Sequence, residues 1–466
     1  MQRRSFVATT GAAVAGSMLV NPMNAFARRA KRKVVMVGTG ARGIGFWGKR
    51  VVSSYGDDLE FVGLHDVNKG RMDLAKNEFA PNAKMFDNFD DMLDKTKPDL
   101  VIVTTMDSTH HEFVIKSLNK GYNVLTEKPM TTDDVKCQAI LDAERKSGKK
   151  VIVGFNYRYS TLATAIKQQL ADNVAGKLTS VDFHWYLNVY HGADYFRRWH
   201  RLTENSGSLW VHKASHHFDL LNWWIDSDPI EVVAFGELEH YGKNHTAFKH
   251  TNCRPCPHKS NCKFYWDMTK SKNLMSLYAD NEKYDGYLRD GCVWKDDIDI
   301  YDKMSAQIKY ANGVVVNYSL TTYSPYEGWR VAFNGMEGRL DSWEDIPWQQ
   351  GKDEVDQANR HELEMTQGKK EEAEEFDQMM VMKNFADYQQ IKVPRVRAGH
   401  GGGDSRLQDR IFKDPNAPDP LRHAAGSRDG AMAVLIGVAA RKSIEQGNKK
   451  IKIADLTDLK PSVKRL

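Results

Sequence analysis

The chain has 466 residues and a mass of 53.1 kDa, room for two or three domains at about 100–200 residues each. Hydrophobic residues make up 41%, charged residues 27% and aromatic residues 10%, which excludes a wholly disordered, collagen-like or polytopic membrane chain. The formal charge of +5 sits in the leader: residues 1–33 hold Arg3, Arg4, Arg28, Arg29, Lys31, Arg32 and Lys33 and no acid, and setting those seven aside leaves −2 for the rest. With no basic stripe in the body, nucleic acid is not an expected partner.

Arg3-Arg4-Ser5-Phe6-Val7 opens the chain, a mild apolar stretch runs to Val20, and Ala25-Phe26-Ala27 follows. Paired arginines before a weak apolar region and an A-x-A site form a twin-arginine export signal over residues 1–27. The apolar stretch, about 15 residues, is short of the roughly 20 a spanning helix needs. The expected mature chain starts at Arg28 in a periplasm or equivalent space, with no membrane span.

Lys33-Val34-Val35-Met36-Val37 has the β-branched apolar run of a buried parallel strand. Gly38-Thr39-Gly40-Ala41-Arg42-Gly43 follows, then a helical period through Ile44, Trp47, Val51 and Val52. G-x-G-x-x-G between strand and helix is the dinucleotide fingerprint: Gly38 for the tight turn, Gly40 for close approach of backbone to pyrophosphate, Gly43 for helix–strand packing. A second strand, Leu59 to His65, ends at Asp66, about where an acid binds the adenosine ribose. A carboxylate there repels a 2′-phosphate, and no Arg directly follows it; Arg71 is the nearest and could sit on the following helix instead. NAD is therefore expected rather than NADP. Candidate cofactor contacts are Gly38, Gly40, Arg42, Gly43, Ile44 and Asp66.

The alternation continues with strands at Asp99 to Val103, Tyr122 to Leu125 and Val151 to Val153, and helices over about 108–119 and 133–146. This predicts a parallel sheet with helices on both faces, an α/β Rossmann domain over residues 28–153. Ligands collect beyond the carboxyl ends of such strands. Two segments stand there, Thr104 to His111 and Thr126-Glu127-Lys128-Pro129, which adds Thr105, His110, Glu127 and Lys128 as candidate contacts. Gln349 to Glu375 is highly polar and reads as an exposed excursion, and Gly430 to Ala440 as an apolar helix packed on the core.

Glu127-Lys128-Pro129 after a strand, in a chain that opens with this fingerprint, resembles the glucose–fructose oxidoreductase / inositol dehydrogenase (Gfo/Idh/MocA) family. Gly154-Phe155-Asn156-Tyr157-Arg158-Tyr159, Ser206-Gly207-Ser208-Leu209 with His216 and Asp219, and Gly335 to Leu340 are similar to further family segments. The resemblance spans about residues 32 to 450. It implies a substrate domain over residues 154–466, α/β with a large open, mostly antiparallel sheet, and a sugar or cyclitol bound between the domains. A homo-oligomer through that sheet is a further expectation. The chain departs from the family pattern at His212-Lys213, where Asp is usual four residues before His216. It also departs in a cysteine-bearing insertion over about 240–300, and in Gly399-His400-Gly401-Gly402-Gly403-Asp404, which is similar to a string in the family's NAD-dependent glycosidase branch.

Alcohol oxidation needs a group to take the hydroxyl proton as hydride leaves. The resemblance places Lys128 at that task, with His216 as acid/base and His212 as its orienter or relay. Two other readings of His212 and His216 stay open: a zinc pair with an acid, or polar lining of a packed helix. Tyr157, Arg158, Lys213, His217, His400 and Asp404 are candidate substrate contacts. The expected activity is oxidation of a secondary hydroxyl with tightly held NAD. The alternatives are a glycosidase or lyase working by transient oxidation, and a non-catalytic sugar-binding protein.

Cys253-x2-Cys256-x5-Cys262 with Cys292 suits a structural Cys₄ zinc site; two disulfides, an iron–sulfur cluster or free thiols also fit the spacing. Cys137 reads as a buried small residue.

Overall fold

The computed structural model describes residues 30–345, 376–396 and 399–465; the leader and the polar excursion at 349–375 lie outside them. Six parallel strands form the first sheet: β1 (Arg32–Val37), β2 (Leu59–His65), β3 (Lys84–Met85), β4 (Leu100–Val103), β5 (Asn123–Thr126) and β6 (Val151–Val153). Their order is β3-β2-β1-β4-β5-β6, so the strand order reverses between β1 and β4, where a doubly wound sheet opens its ligand crevice. Residues Val34–Val37 and all of β4 are buried, because helices cover both faces. β3 escaped the sequence reading because its two residues are exposed and carry no apolar run.

The second sheet has nine strands: β7 (Leu178–Asn188), β8 (Pro229–Glu237), β9 (Lys303–Tyr310), β10 (Val315–Ser324), β11 (Gly328–Gly335), β12 (Gly338–Glu344), β13 (Phe376–Lys383), β14 (Tyr388–Pro394) and β15 (Ile451–Lys452). They run in the order β14-β13-β12-β11-β7-β10-β9-β8-β15. Only β7 and β10 pair in parallel; the other pairs are antiparallel. β9 and β10 alternate buried and less buried residues, the pattern of a sheet with one face on the core. The helices Ala214–Ile225 and Ser427–Glu445 lie on that face. All twelve residues of the first are buried, as a helix wedged between sheet and helix requires.

A buried ion pair anchors the segment that follows β6 to the helices of the second domain. Arg158 follows β6 in the turn Asn156–Tyr159. Its guanidinium donates to both oxygens of Asp219, at 2.7 and 2.6 Å, and to Asp429 at 2.9 Å. Arg158 and Asp219 side chains are each 2% exposed. This corrects the reading of Arg158 as a substrate contact: its donors are spent on two core helices. Burial raises the Asp219 carboxyl to about 6 even beside Arg158.

Removing one partner of a buried pair strands the other charge. Asp219→Ala is expected to lower stability by about 3 kcal/mol, read from the denaturant midpoint at unchanged slope. A shift under about 0.5 kcal/mol contradicts the structural role.

Candidate active site

The glycine turn is built as the spacing requires. Gly38 has φ +90°, and a Cβ on it would lie 2.5 Å from the Thr104 carbonyl carbon. A Cβ on Gly43 would lie 2.3 Å from the Gly38 oxygen, whereas one on Gly40 would meet nothing within 4 Å. The turn is thus closed behind and open in front, the cradle a pyrophosphate needs, and the residues fit NAD there. Asp66 accepts from the Thr39 amide at 2.6 Å, the Thr39 hydroxyl at 3.0 Å and the Asn68 amide at 2.8 Å. Arg71 sits on the helix Lys69–Glu78 and reaches back to Asp66 at 3.3 Å.

Four expected cofactor contacts do other work through their side chains. Ile44 is buried in the apolar core behind the sheet. Arg42 donates to Glu127 Oε1 at 2.5 Å, and Trp47 Nε1 donates to the same oxygen at 2.7 Å. Glu127, 6% exposed, therefore pins the glycine-turn helix to the turn that carries Lys128. Burial alone would raise its carboxyl, but Arg42 holds it below the usual range. The ring nitrogens of His110, 1% exposed, lie 2.8 Å from the Pro129 oxygen and 3.1 Å from the Thr105 oxygen. His110 braces the ends of β4 and β5 from inside.

Lys128 stands at the carboxyl end of β5, and its ammonium donates to the His212 carbonyl at 3.1 Å. Burial pushes its amine down to about 8; Asp107 and Glu127 pull upward, Lys213 and Arg42 further down. Asp107, which the sequence reading passed over, lies past β4 with its side chain 4% exposed. Its carboxylate oxygen is 2.5 Å from His212 Nδ1. Burial holds the Asp107 carboxyl well above its usual range and His212 well below its own. His212 lies in the turn before the helix, which begins at Ala214, and its Nδ1 engages Asp107 rather than His216.

His216 opens the same wall. It is 4% exposed, burial pushes its imidazole well below the usual range, and its Nδ1 is buried without a hydrogen-bond partner. Tyr157 packs edge-on against His216 at 4.9 Å and against His400 at 4.8 Å. His216 and His400 rings are 5.9 Å apart. His400 Nδ1 lies 3.0 Å from Asp404, and Asn156 Nδ2 donates to Asp404 at 2.7 Å. His400 and Asn156 hold the Asp404 carboxyl below its usual range despite burial. Lys213 Nζ lies 5.0 Å over the Trp185 ring and 5.8 Å over Tyr157. His216, Lys213, Tyr157, His400 and Asp404 are therefore joined through these contacts, while Lys128, His212 and Asp107 form a second group. His217 is corrected: it is fully buried, stacked on Trp185 at 3.9 Å and bonded to the Tyr318 hydroxyl at 2.7 Å, so it supports Trp185 from behind.

The four insertion cysteines, Cys253, Cys256, Cys262 and Cys292, line one cavity. All are free thiols, and among the described residues no three His, Cys, Asp or Glu side chains form a metal-holding group. The expected zinc site and disulfides are therefore not assembled here, nor is a zinc pair at His212 and His216. Arg197 instead donates to Cys253 Sγ at 3.2 Å. Cys137 is buried, as expected.

Glu127→Ala leaves the buried Trp47 N–H without an acceptor and releases the half-exposed Arg42. The expected cost is about 2 kcal/mol in the denaturant midpoint, with a change in Trp fluorescence. Unchanged stability contradicts the pinning role.

Residues 32–155 match the GFO_IDH_MocA model, the oxidoreductase family's NAD-binding Rossmann fold, and residues 167–453 match that family's C-terminal alpha/beta domain. YteT of Bacillus subtilis (strain 168) is 35% identical over 434 residues, 89% of this chain and 96% of YteT. The inositol 2-dehydrogenase of Agrobacterium fabrum is 27% identical over 202 residues, 43% of this chain and 56% of that enzyme. The fold is shared with the aldose-aldose oxidoreductase of Caulobacter crescentus, complexed with glycerol (TM-score 0.58, 14% identity, 91% of this chain and 99% of that one). It is also shared with the WlbA dehydrogenase of Bordetella pertussis, in complex with NADH and UDP-GlcNAcA (TM-score 0.58, 16% identity, 91% of this chain and 97% of that one). With both halves matched in order, the chain belongs to the GFO_IDH_MocA family of oxidoreductases.

Proposed function

We propose that this enzyme is exported and uses tightly held NAD to oxidise a secondary hydroxyl of a sugar, glycoside or cyclitol. The observation that carries the reading is Lys128: an amine brought to about 8 by burial, at the carboxyl end of a Rossmann strand beside Asp107 and His212. Nicotinamide, when bound, supplies the hydride acceptor. Lys128, as the neutral amine, takes the hydroxyl proton, and Asp107 offsets the charge that this leaves. The unpartnered Nδ1 of His216 is the group offered to a neighbouring hydroxyl. Tyr157, backed edge-on by Trp185, gives an aromatic face suited to a sugar ring. The inositol dehydrogenase and aldose oxidoreductase relatives support this substrate class. The paired arginines of the leader support export by a route that carries folded protein, which favours a cofactor that stays bound where no free pool exists.

A second reading has its own support. Asp107–His212 and Asp404–His400 are two carboxylate–imidazole pairs in addition to Lys128 and His216, more proton-transfer groups than one oxidation uses. They suit transient oxidation, elimination of an aglycone and re-reduction.

Purified enzyme incubated with free sugars and with aryl glycosides separates the two. Net NADH from a free sugar supports oxidation; aglycone release without net NADH overturns it in favour of the second reading. Lys128→Met is expected to abolish turnover while NAD stays bound, and His216→Ala to slow it by about 10²–10⁴-fold. Because the neutral amine is the working form, kcat/KM rises as pH increases through about 8. A rate independent of pH between 7 and 9, or an active Lys128→Met enzyme, removes Lys128 from the proton transfer.

A further inference from the structure

The cysteine-bearing insertion leaves β8 at Glu237 and rejoins the sheet at Lys303. Part of it does not stay with its own domain. Met268, Leu277 and Tyr278 are buried in the same apolar cluster as Val34, Met36, Ile44 and Phe79 of the Rossmann domain. Three polar contacts then fall on the dinucleotide-binding segments. The Ala41 amide, inside the glycine turn, donates to the Tyr278 hydroxyl at 3.3 Å. Asn68 Nδ2, just past Asp66, donates to the Asn281 carbonyl at 2.9 Å in a buried bond. Arg71, the cation beside Asp66, donates to Asp285 at 2.6 Å, closer than its 3.3 Å contact with Asp66 itself. The fit is close: a Cβ on Gly70 would lie 1.9 Å from Asn281 Oδ1.

The far side of the segment is anchored. Arg254 binds Asp290 and Glu282, and Asp290 also accepts from the Asn252 side chain at 3.1 Å and the Arg254 amide at 2.8 Å. Asn252 and Arg254 flank Cys253, so the cysteine-bearing loop holds the base of the segment that rests on the Rossmann domain.

We infer that residues 278–285 are part of the dinucleotide site, with Tyr278 as a pyrophosphate-end contact and Asp285 as a determinant of NAD over NADP. This rests on the reading of the glycine turn as an NAD site. The Tyr278 hydroxyl accepts from Ala41 and still has its own proton to donate to a phosphate oxygen. Asp285 acts through Arg71. A 2′-phosphate is ordinarily accommodated by a nearby arginine, and Asp285 engages the arginine placed for that role. A 2′-phosphate would then face Asp66 and Asp285 together. The same contacts cover the adenosine side of the turn and slow nucleotide release.

The test compares full-length wild-type enzyme with Asp285→Asn and Tyr278→Phe variants, with circular dichroism to check that each is folded. Nucleotide released on denaturation identifies what each carries, and Trp-to-nicotinamide energy transfer gives the affinities for NADH and NADPH. Asp285→Asn is expected to weaken the preference for NADH over NADPH by about tenfold or more, the scale of one hydrogen bond to a charged group. Tyr278→Phe is expected to speed NADH release by about two- to tenfold, the scale of one neutral hydrogen bond, with its nucleotide preference unchanged. Wild-type enzyme that holds neither nucleotide overturns the NAD reading and the inference with it. Wild-type enzyme that holds NAD, with variants that keep both its retention and its preference, overturns the inference alone.

Discussion

An ammonium group cannot leave water without partners, and the cleft between the two domains is organised around that constraint at Lys128. Burial drives its amine toward neutrality, and Asp107 and Glu127 supply the opposing field. Neither acid can shift freely. Asp107 is held against His212 from the second domain, and Glu127 is held by Arg42 and Trp47 from the glycine-turn helix. The group that handles the proton is thus positioned by the element that cradles the pyrophosphate and by the wall that faces the substrate. Cofactor geometry and proton chemistry are set by one buried network.

The larger fold keeps that network in register. Arg158, spent on Asp219 and Asp429, locks the junction after β6 to the two helices on the nine-stranded sheet. His216 is carried by the first of those helices, so the pair that anchors the junction segment also fixes the helix that presents the imidazole. The insertion returns from the second domain to the first at Ala41, Asn68 and Arg71. Chain from both domains therefore meets at the glycine turn and the segment after Asp66.

What the sequence disclosed follows from how local each signal is. The glycine turn, the strand before it and Asp66 lie within one βαβ unit, and the Glu-Lys-Pro turn directly follows a strand, so spacing alone placed them. Asp107 went unnoticed because its meaning depends on His212, 105 positions away. Arg158 and His217 were misread as sugar contacts because residue type is silent on burial: the same guanidinium can bind a polyol or neutralise two core carboxylates. His110, Arg42 and Glu127 stand in the right segments but turn their side chains toward bracing. The cysteines were rightly grouped by spacing, since they line one cavity. Spacing carried no sign that their loop reaches the Rossmann domain, because membership of one apolar cluster, as of Tyr278 with Ile44, leaves no periodic trace.

The central claim is that burial beside Asp107 sets the protonation of Lys128, and NMR titration of lysine side chains enriched in ¹³C at Cε measures this directly. Lys128, assigned by its loss in Lys128→Met, is expected to titrate near 8 rather than at the ordinary 10.5. In Asp107→Asn, which removes an upward pull, the midpoint is expected to fall further. A Lys128 signal that titrates near 10.5 in both proteins contradicts the account.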